Sequence, residues 1–288
     1  MKRLLPTLAL LAACQVVAPP EPEPPPRAPS QMVAFEGFRV HYDDLGAGEP
    51  TLVLVHGWAS DTRAWTPQLE EWSKTWRLLV VDLPGHGASD PPTSPYSMEL
   101  FADSVAAVLD HAGVGRAVLV GHSNGGTVVT RFAQRHPERT IGLVVIDGSM
   151  RPAMPREVGE QVFSQFNPES WKDTLRGMLA GMPNEDLSTD EVEFLVTMAT
   201  DQTWEAVRGG FEAAFAEDAY VDTPIDAPVL AVMTPSPLWT SDYRAEVAAV
   251  ASNVDYVEVE TQHWVQFERP QELLSLVGNF VGGLAAAE

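Results

Sequence analysis

The sequence predicts an α/β fold: a mostly parallel sheet with helices on both faces and a helical insertion. Two observations carry that expectation. Short apolar, β-branched runs recur along the chain, each separated from the next by a stretch with helical periodicity. The runs are apolar at successive positions rather than alternating, as strands covered on both faces must be.

The first residues stand apart from this pattern. Met1 to Cys14 combines a basic start, a short apolar stretch and small residues before a cysteine, the make-up of a secretory signal too short to span a bilayer. Leu11-Ala-Ala-Cys14 resembles the lipobox of bacterial lipoproteins, and Cys14 is the only cysteine in 288 residues. The expectation is a signal peptide over 1–13, a lipid on Cys14, and a lipid-anchored protein of the bacterial cell envelope, on the outer-membrane or periplasmic side. Residues 14–30 then read as a linker. Its prolines lack a backbone donor and restrict their predecessors, so it should be an extended polyproline tether. With its lone thiol acylated, the mature chain would hold no disulfide, and its core alone would supply stability.

Net charge is −22, falling to about −24 once Lys2 and Arg3 leave with the signal. Such a surface repels nucleic acid and anionic headgroups, so the lipid rather than electrostatics would hold the protein at a membrane.

The folded part follows in order. Residues 35–48 alternate like a hairpin closing in a glycine turn. Strands are expected over 51–56, 77–82, 117–120, 141–146, 228–233 and 254–259, and helices over 63–73, 97–112, 124–135, 241–251 and 270–284. In the second helix Met98, Phe101, Val105, Val108 and Leu109 recur at helical spacing and mark one core face. The alternation is interrupted over 150–222, where four helical stretches (156–166, 169–182, 189–200, 203–219) replace any strand. That segment reads as a cap inserted into a core of residues 31–149 and 223–288. It is rich in Met and aromatics, among them Phe163, Phe166, Trp171, Trp204, Phe211 and Phe215, which pack helices or line a pocket.

The stretch most directly tied to chemistry is Gly121-His122-Ser123-Asn124-Gly125, a G-x-S-x-G motif between an apolar strand and a helix. A strand that turns sharply into a helix strains the serine, and side chains at 121 or 125 would collide with neighbouring chain. Gly126 lets the helix pack close to the sheet. The turn exposes the Ser123 hydroxyl at a helix N-terminus, where free N–H groups favour developing negative charge.

Together with His56-Gly57-Trp58, Asp82-Leu-Pro-Gly-His-Gly-Ala-Ser89 and Gln262-His-Trp-Val-Gln-Phe-Glu-Arg-Pro270, this motif resembles the α/β-hydrolase fold family over residues 32–286. The resemblance is to its capped branch of esterases, epoxide hydrolases, haloalkane dehalogenases and C–C hydrolases. It implies that the backbone N–H groups of Trp58 and Asn124 form an oxyanion hole, typically the largest electrostatic contribution to acyl transfer. It also implies that His263 is the base, although Gln262 stands where the family more usually has glycine. His56, His86 and Asp82 are read as structural, His122 as packing beneath the elbow, and His41, His111 and His136 as ordinary surface or packing residues.

The acid is the open position. Many members carry it after the strand equivalent to 228–233, but Ser236 and Pro237 occupy that place here. Others carry it after the preceding strand, where Asp147 lies. Asp147 is therefore favoured over Asp242, with Glu260 distant.

Epoxide hydrolases and dehalogenases of this branch attack with an aspartate, whereas a serine implies an acyl-enzyme that water hydrolyses. The expected activity is hydrolysis of a small or medium carboxylic ester or lactone, with Ser123 as nucleophile, His263 as base and Asp147 as acid. No cofactor or metal is expected. Alternatives are a C–C hydrolase, an amidase or a cofactor-free perhydrolase and, in another class, a non-catalytic membrane-anchored binding module. Oligomeric state is not legible.

Overall fold

Eight strands build one sheet in the order β1-β2-β4-β3-β5-β6-β7-β8. The computed structural model describes residues 30–182 and 186–287, so Cys14, the signal segment and the proline-rich linker up to residue 29 lie outside the described residues. The strands are β1 (Ser30–Phe35), β2 (Phe38–Leu45), β3 (Leu52–Val55), β4 (Leu78–Val81), β5 (Ala117–His122), β6 (Thr140–Ile146), β7 (Val229–Met233) and β8 (Val254–Glu258). β1 pairs antiparallel with β2, and β2 antiparallel with β4. Every other pairing is parallel.

Side-chain alternation sorts the central strands into two cores. Val53, Val55, Leu79, Val81 and Leu119 face one side, where α2 (Met98–His111), α3 (Asn124–Arg135) and α8 (Ser241–Ala248) pack through Phe101, Phe132 and Tyr243. Leu52, Leu54, Leu78, Val80 and Val118 face the other, covered by α1 (Thr66–Trp72), α9 (Val265–Glu268) and α10 (Pro270–Ala287) through Trp72, Val265 and Leu273. Each of these fully buried side chains contributes about 1.5–3 kcal/mol of transfer free energy. Between β6 and β7 lie four inserted helices, α4 (Arg156–Phe163), α5 (Trp171–Ala180), α6 (Thr189–Thr200) and α7 (Trp204–Ala214). Ser188 and Glu191 form a reciprocal capping box that starts α6.

The structure differs from the sequence reading in three places. The hairpin turns at Glu36 and Gly37, both at positive φ, so its first strand is Ser30–Phe35. Ser30, assigned by composition to the linker, pairs with Asp43. Ladder pairing with β2 thus extends the folded core one residue beyond what proline content suggested. The helix expected over 63–73 breaks in two, a 3-10 turn at Thr62–Trp65 and then α1. Pro67 explains the break: it has no N–H to bond back to the Arg63 carbonyl, and it suits the first turn of a new helix. Finally, α9 forms directly after His263, where no helix was expected.

Candidate active site

Ser123 lies between β5 and α3 with φ 54° and ψ −123°, a conformation that costs a non-glycine residue about 1–3 kcal/mol. Its surroundings hold it there. Ser123 N donates to Ile146 O at 2.9 Å, and Gly126 N donates to Ser123 O at 2.9 Å. The flanking glycines are sterically required. A Cβ at Gly121 would lie 2.3 Å from Gly125 O, and one at Gly125 would lie 2.3 Å from Val55 O. The elbow can form only because backbone passes where side chains would be.

His263 follows β8, and its Nδ1 donates to Asp147 Oδ2 at 2.7 Å. Asp147 follows β6 with φ 40°, and its own N–H donates to Val232 O at 2.7 Å. Burial pushes the Asp147 carboxyl up, but the hydrogen bond and charge of His263, joined by Thr234, outweigh it and hold the group below the usual range. The second oxygen, Oδ1, accepts from Thr234 N at 3.2 Å, Thr234 Oγ1 at 2.8 Å and Trp239 Nε1 at 3.0 Å. Thr234 and Trp239 come from the loop after β7, the place where the sequence lacks an acid. Asp242 is exposed in the first turn of α8, and Glu260 is exposed beyond β8. Neither carboxylate bonds His263 among the described residues. Nor is Ser123 Oγ bonded to His263 Nε2 there, a contact that often tightens only with substrate in place.

His122 sits directly before the nucleophile, its ring centroid 4.7 Å from that of His263 and 5.0 Å from that of Trp264. Its Nε2 donates to His263 O at 2.9 Å, so the residue beneath the elbow also braces the backbone of the histidine opposite. Burial, and then the nearby His263, push His122 down to about 3, and the ring is neutral. Sequence reasoning placed His122 correctly but found no sign of this bond, nor of Thr234 and Trp239, because all three act across chain separations that only the fold closes.

Trp58 and Asn124 flank the nucleophile as the two candidate oxyanion donors, and neither N–H is spent in a backbone hydrogen bond among the described residues. His56 fixes this loop: its Nδ1 donates to Gly57 O at 2.8 Å, while Leu83 N donates to its Nε2 at 3.0 Å. Complete burial lowers its affinity for a second proton. His86 is similarly buried, pushed down to about 4, and donates from Nδ1 to Pro84 O. His41 is not the ordinary residue the sequence suggested. It is buried, and its Nδ1 bonds Asp82 Oδ2 at 2.8 Å.

The inserted helices bring an aromatic cluster onto Trp58. Its ring lies 5.7 Å from Phe166, 5.8 Å from Phe211 and 6.5 Å from Phe163. Phe163 stacks on Phe211 at 4.4 Å and on Trp204 at 5.8 Å. Trp58 Nε1 donates to Val207 O of α7 at 2.6 Å, tying the loop to the insertion. Phe163 and Phe211 also line an open cavity of about 300 Å³ with Arg156, Glu160, Ser164, Glu212 and Phe215. Among the described residues no cluster of His, Cys, Asp or Glu is arranged to hold a metal ion.

A strained serine at a helix N-terminus, an imidazole–carboxylate pair close by and backbone N–H groups free of backbone partners among the described residues are parts that nucleophilic acyl transfer needs. Residues 50–195 match the family described as the alpha/beta hydrolase fold. The chain belongs to this family. Among related α/β hydrolases, it is 28% identical to epoxide hydrolase 3 of Xenopus tropicalis over 85% of this chain and 75% of that one. It is 29% identical to 2-hydroxymuconate semialdehyde hydrolase of Pseudomonas sp. (strain CF600), over 92% of this chain and 98% of the other. A hydrolase from Pseudomonas aeruginosa superposes with a TM-score of 0.77 at 26% identity, covering 88% of this chain and 98% of that one. This α/β hydrolase is thus a hydrolytic enzyme by family, with an eight-stranded sheet of the expected class.

Proposed function

We propose that the protein hydrolyses a carboxylic ester or lactone through an acyl-enzyme. Ser123 Oγ attacks the acyl carbon while His263 Nε2 takes its proton, and Asp147 holds the imidazole in the tautomer that leaves Nε2 free to accept. The oxyanion that forms lies against the N–H groups of Trp58 and Asn124. As the acyl carbon–oxygen bond breaks, His263 returns the proton to the leaving alkoxide. Water, deprotonated by the same nitrogen, then releases the acid. The observation that carries this reading is the 2.7 Å bond between His263 Nδ1 and Asp147 Oδ2, beside a serine rather than an aspartate at the elbow.

The inserted helices act in this reading as a cap. Phe163, Phe166 and Phe211 around Trp58 suit the apolar part of the substrate, because aromatic faces bury flat or aliphatic groups without demanding polar partners. The experiment is labelling with a fluorophosphonate probe, followed by a panel of p-nitrophenyl esters and lactones. Wild type should label and turn over esters, and Ser123→Ala should do neither. An unlabelled, inactive wild type would leave the binding-module alternative standing.

A second reading, hydrolysis of a C–C bond, draws on the similarity to the semialdehyde hydrolase over almost its whole length. Turnover of 2-hydroxymuconate semialdehyde, with esters left untouched, would favour it.

The lipobox reading of Cys14 is also a proposal. Cys14→Ser should release the protein from bacterial membranes with esterase activity intact. A wild-type protein that is soluble in such a host and begins elsewhere than Cys14 would overturn it.

A further inference from the structure

We infer that the loop after β7, which carries no acid, acts instead as the support of the acid on β6, and that Thr234 and Trp239 are positioning residues for His263. The inference rests on the proposed triad and concerns what makes Asp147 effective within it. Three donors converge on one carboxylate oxygen: Thr234 N, Thr234 Oγ1 and Trp239 Nε1 all reach Oδ1, between 2.8 and 3.2 Å. Among the described residues only His263 Nδ1 reaches Oδ2. A carboxylate oxygen offers about two lone-pair sites, so Oδ1 is saturated and the carboxylate plane is set. Oδ2 is then presented to the imidazole in one orientation.

This arrangement answers two needs that Asp147 has and an acid in a relaxed loop would not. Its backbone is held at φ 40°, outside the comfortable range for a residue with a Cβ, so the side chain needs anchoring beyond its own rotamer preference. It is also buried, which alone would favour the neutral acid, so fixed dipoles must keep it ionised as a counter-charge for the imidazolium. Trp239 supplies such a dipole without adding a charge. Its ring is held in turn against Tyr243, 5.1 Å between centroids, and Tyr243 Oη accepts from Met150 N at 3.0 Å. The loop and the first turn of α8 together therefore grip the chain on both sides of the turn that follows β6: the loop holds Asp147 through Thr234 and Trp239, and α8 holds Met150 through Tyr243.

Trp239→Phe keeps an aromatic ring against Tyr243 and removes only the N–H. Thr234→Val keeps the shape and the backbone donor and removes the hydroxyl, and Thr234→Ser restores the hydroxyl. Each donor lost leaves the carboxylate more basic, so the imidazolium it faces is favoured and the acidic limb of kcat/KM moves to higher pH. Loss of orientation lowers kcat. The expected result is a fall in kcat of about threefold to tenfold for either variant, a larger fall for the pair, and KM unchanged, since neither group touches substrate. The acidic limb should shift upward, with recovery in Thr234→Ser. Thermal unfolding of each variant checks that the fold is intact. Asp147→Asn separates the two levels of the argument. If it retains near-wild-type kcat, the triad reading fails. If it is inactive while folded Trp239→Phe and Thr234→Val keep wild-type kcat and an unmoved acidic limb, the triad stands and the support role is overturned.

Discussion

Two imidazole–carboxylate pairs occupy this fold, and they differ less in their own geometry than in what surrounds them. His263 bonds Asp147 at 2.7 Å, and His41 bonds Asp82 at 2.8 Å, in each case through Nδ1. The second pair even has a serine, Ser30, whose hydroxyl bonds His41 Nε2. Connectivity alone would make Ser30–His41–Asp82 a rival triad. Its environment rules that out. Burial of the His41 ring would lower its proton affinity, but hydrogen bonds and charge from Asp43 and Asp82 override this and raise it to about 9. At neutral pH the ring is already protonated and cannot act as a base. Ser30 lies in an extended edge strand, with no strained turn and no helix N-terminus behind it. Asp82 is also committed elsewhere, accepting from Thr62 N at 2.7 Å and Ala88 N at 2.9 Å. A histidine–aspartate pair becomes a candidate base only when no second acid keeps its ring charged, as Asp43 does for His41, and when the neighbouring serine sits on a strained turn at a helix N-terminus, as Ser123 does.

The largest expected effect divides the two pairs by what each aspartate does. Asp147→Asn should lower kcat by up to ~10⁴, because the wrong tautomer is favoured and the imidazolium loses its counter-charge, with a modest change in stability. Asp82→Asn should do the reverse. It turns one acceptor oxygen among Thr62 N, Ala88 N and His41 into a donor and should cost about 2–4 kcal/mol, with kcat of the folded enzyme largely kept. Asp242→Asn should change neither by much. Denaturation curves with kcat measured on the same samples would check all three. An active, folded Asp147→Asn beside an inactive Asp242→Asn would reverse the assignment of the acid.

The contrast also shows why one pair was legible in the sequence and the other was not. Ser123 announces itself, because a strained turn demands glycines at fixed offsets and leaves a motif. Most sheet strands were legible for a similar reason, since burial on both faces removes polar residues from the run. Asp147 was reached by resemblance and by the vacancy at Ser236 and Pro237, not by any local pattern. Nothing in the sequence marked His41, Thr234 or Trp239. Their partners come from different strands and loops, and the pairings exist only once β2 lies against β4 and β7 against β6. Boundaries suffered where composition misled, as at Ser30, or where one residue interrupts a helix, as at Pro67. Even so, α3 and α6 begin and end where their periodicity does.

The second test uses proton linkage. His41 has a folded-state affinity raised from 6.5 to about 9, so its contribution is fully present below pH 6.5 and is lost as pH rises through 9. The full shift corresponds to about 3–4 kcal/mol at most, as one unit is 1.36 kcal/mol, and solvent screening at the sheet edge lowers the realised amount. Stability should therefore decline between about pH 6.5 and 9 by an amount that largely vanishes in His41→Gln. Urea midpoints across that range would measure it. A wild type whose stability is flat there would mean that His41 is neutral in the fold, and the edge pair would no longer be disqualified by its charge.

The smallest effect concerns the contact of the inserted helices with Trp58, beside the first pair. α7 carries Gly209 and Gly210 in its interior, where each glycine costs about 1 kcal/mol relative to alanine. Close contact explains the first, whereas the second has room for a methyl group at ordinary contact distance. A Cβ at Gly209 would lie 2.0 Å from Tyr96 Cδ2, and one at Gly210 would sit 3.4 Å from Trp58 Cδ1. The helix lies flush on the core at the residue whose N–H is a candidate oxyanion donor, and Val207 on the same helix accepts the Trp58 indole bond. Gly209→Ala gains helix propensity but must move the half-buried Tyr96 ring. Overpacking of this kind costs about 1–3 kcal/mol, so the net change should be a destabilisation of about 1 kcal/mol. Pushing α7 outward should also stretch the Trp58–Val207 bond and loosen the aromatic cluster, raising KM for apolar esters severalfold. The His41 linkage between pH 6.5 and 9 should keep its amplitude, because the partners of the His41 ring, Ser30, Asp43 and Asp82, all lie outside the inserted helices. A Gly209→Ala enzyme that is more stable and has an unaltered KM would show that α7 has room to spare, and that Gly209 does not set the approach of the insertion to Trp58.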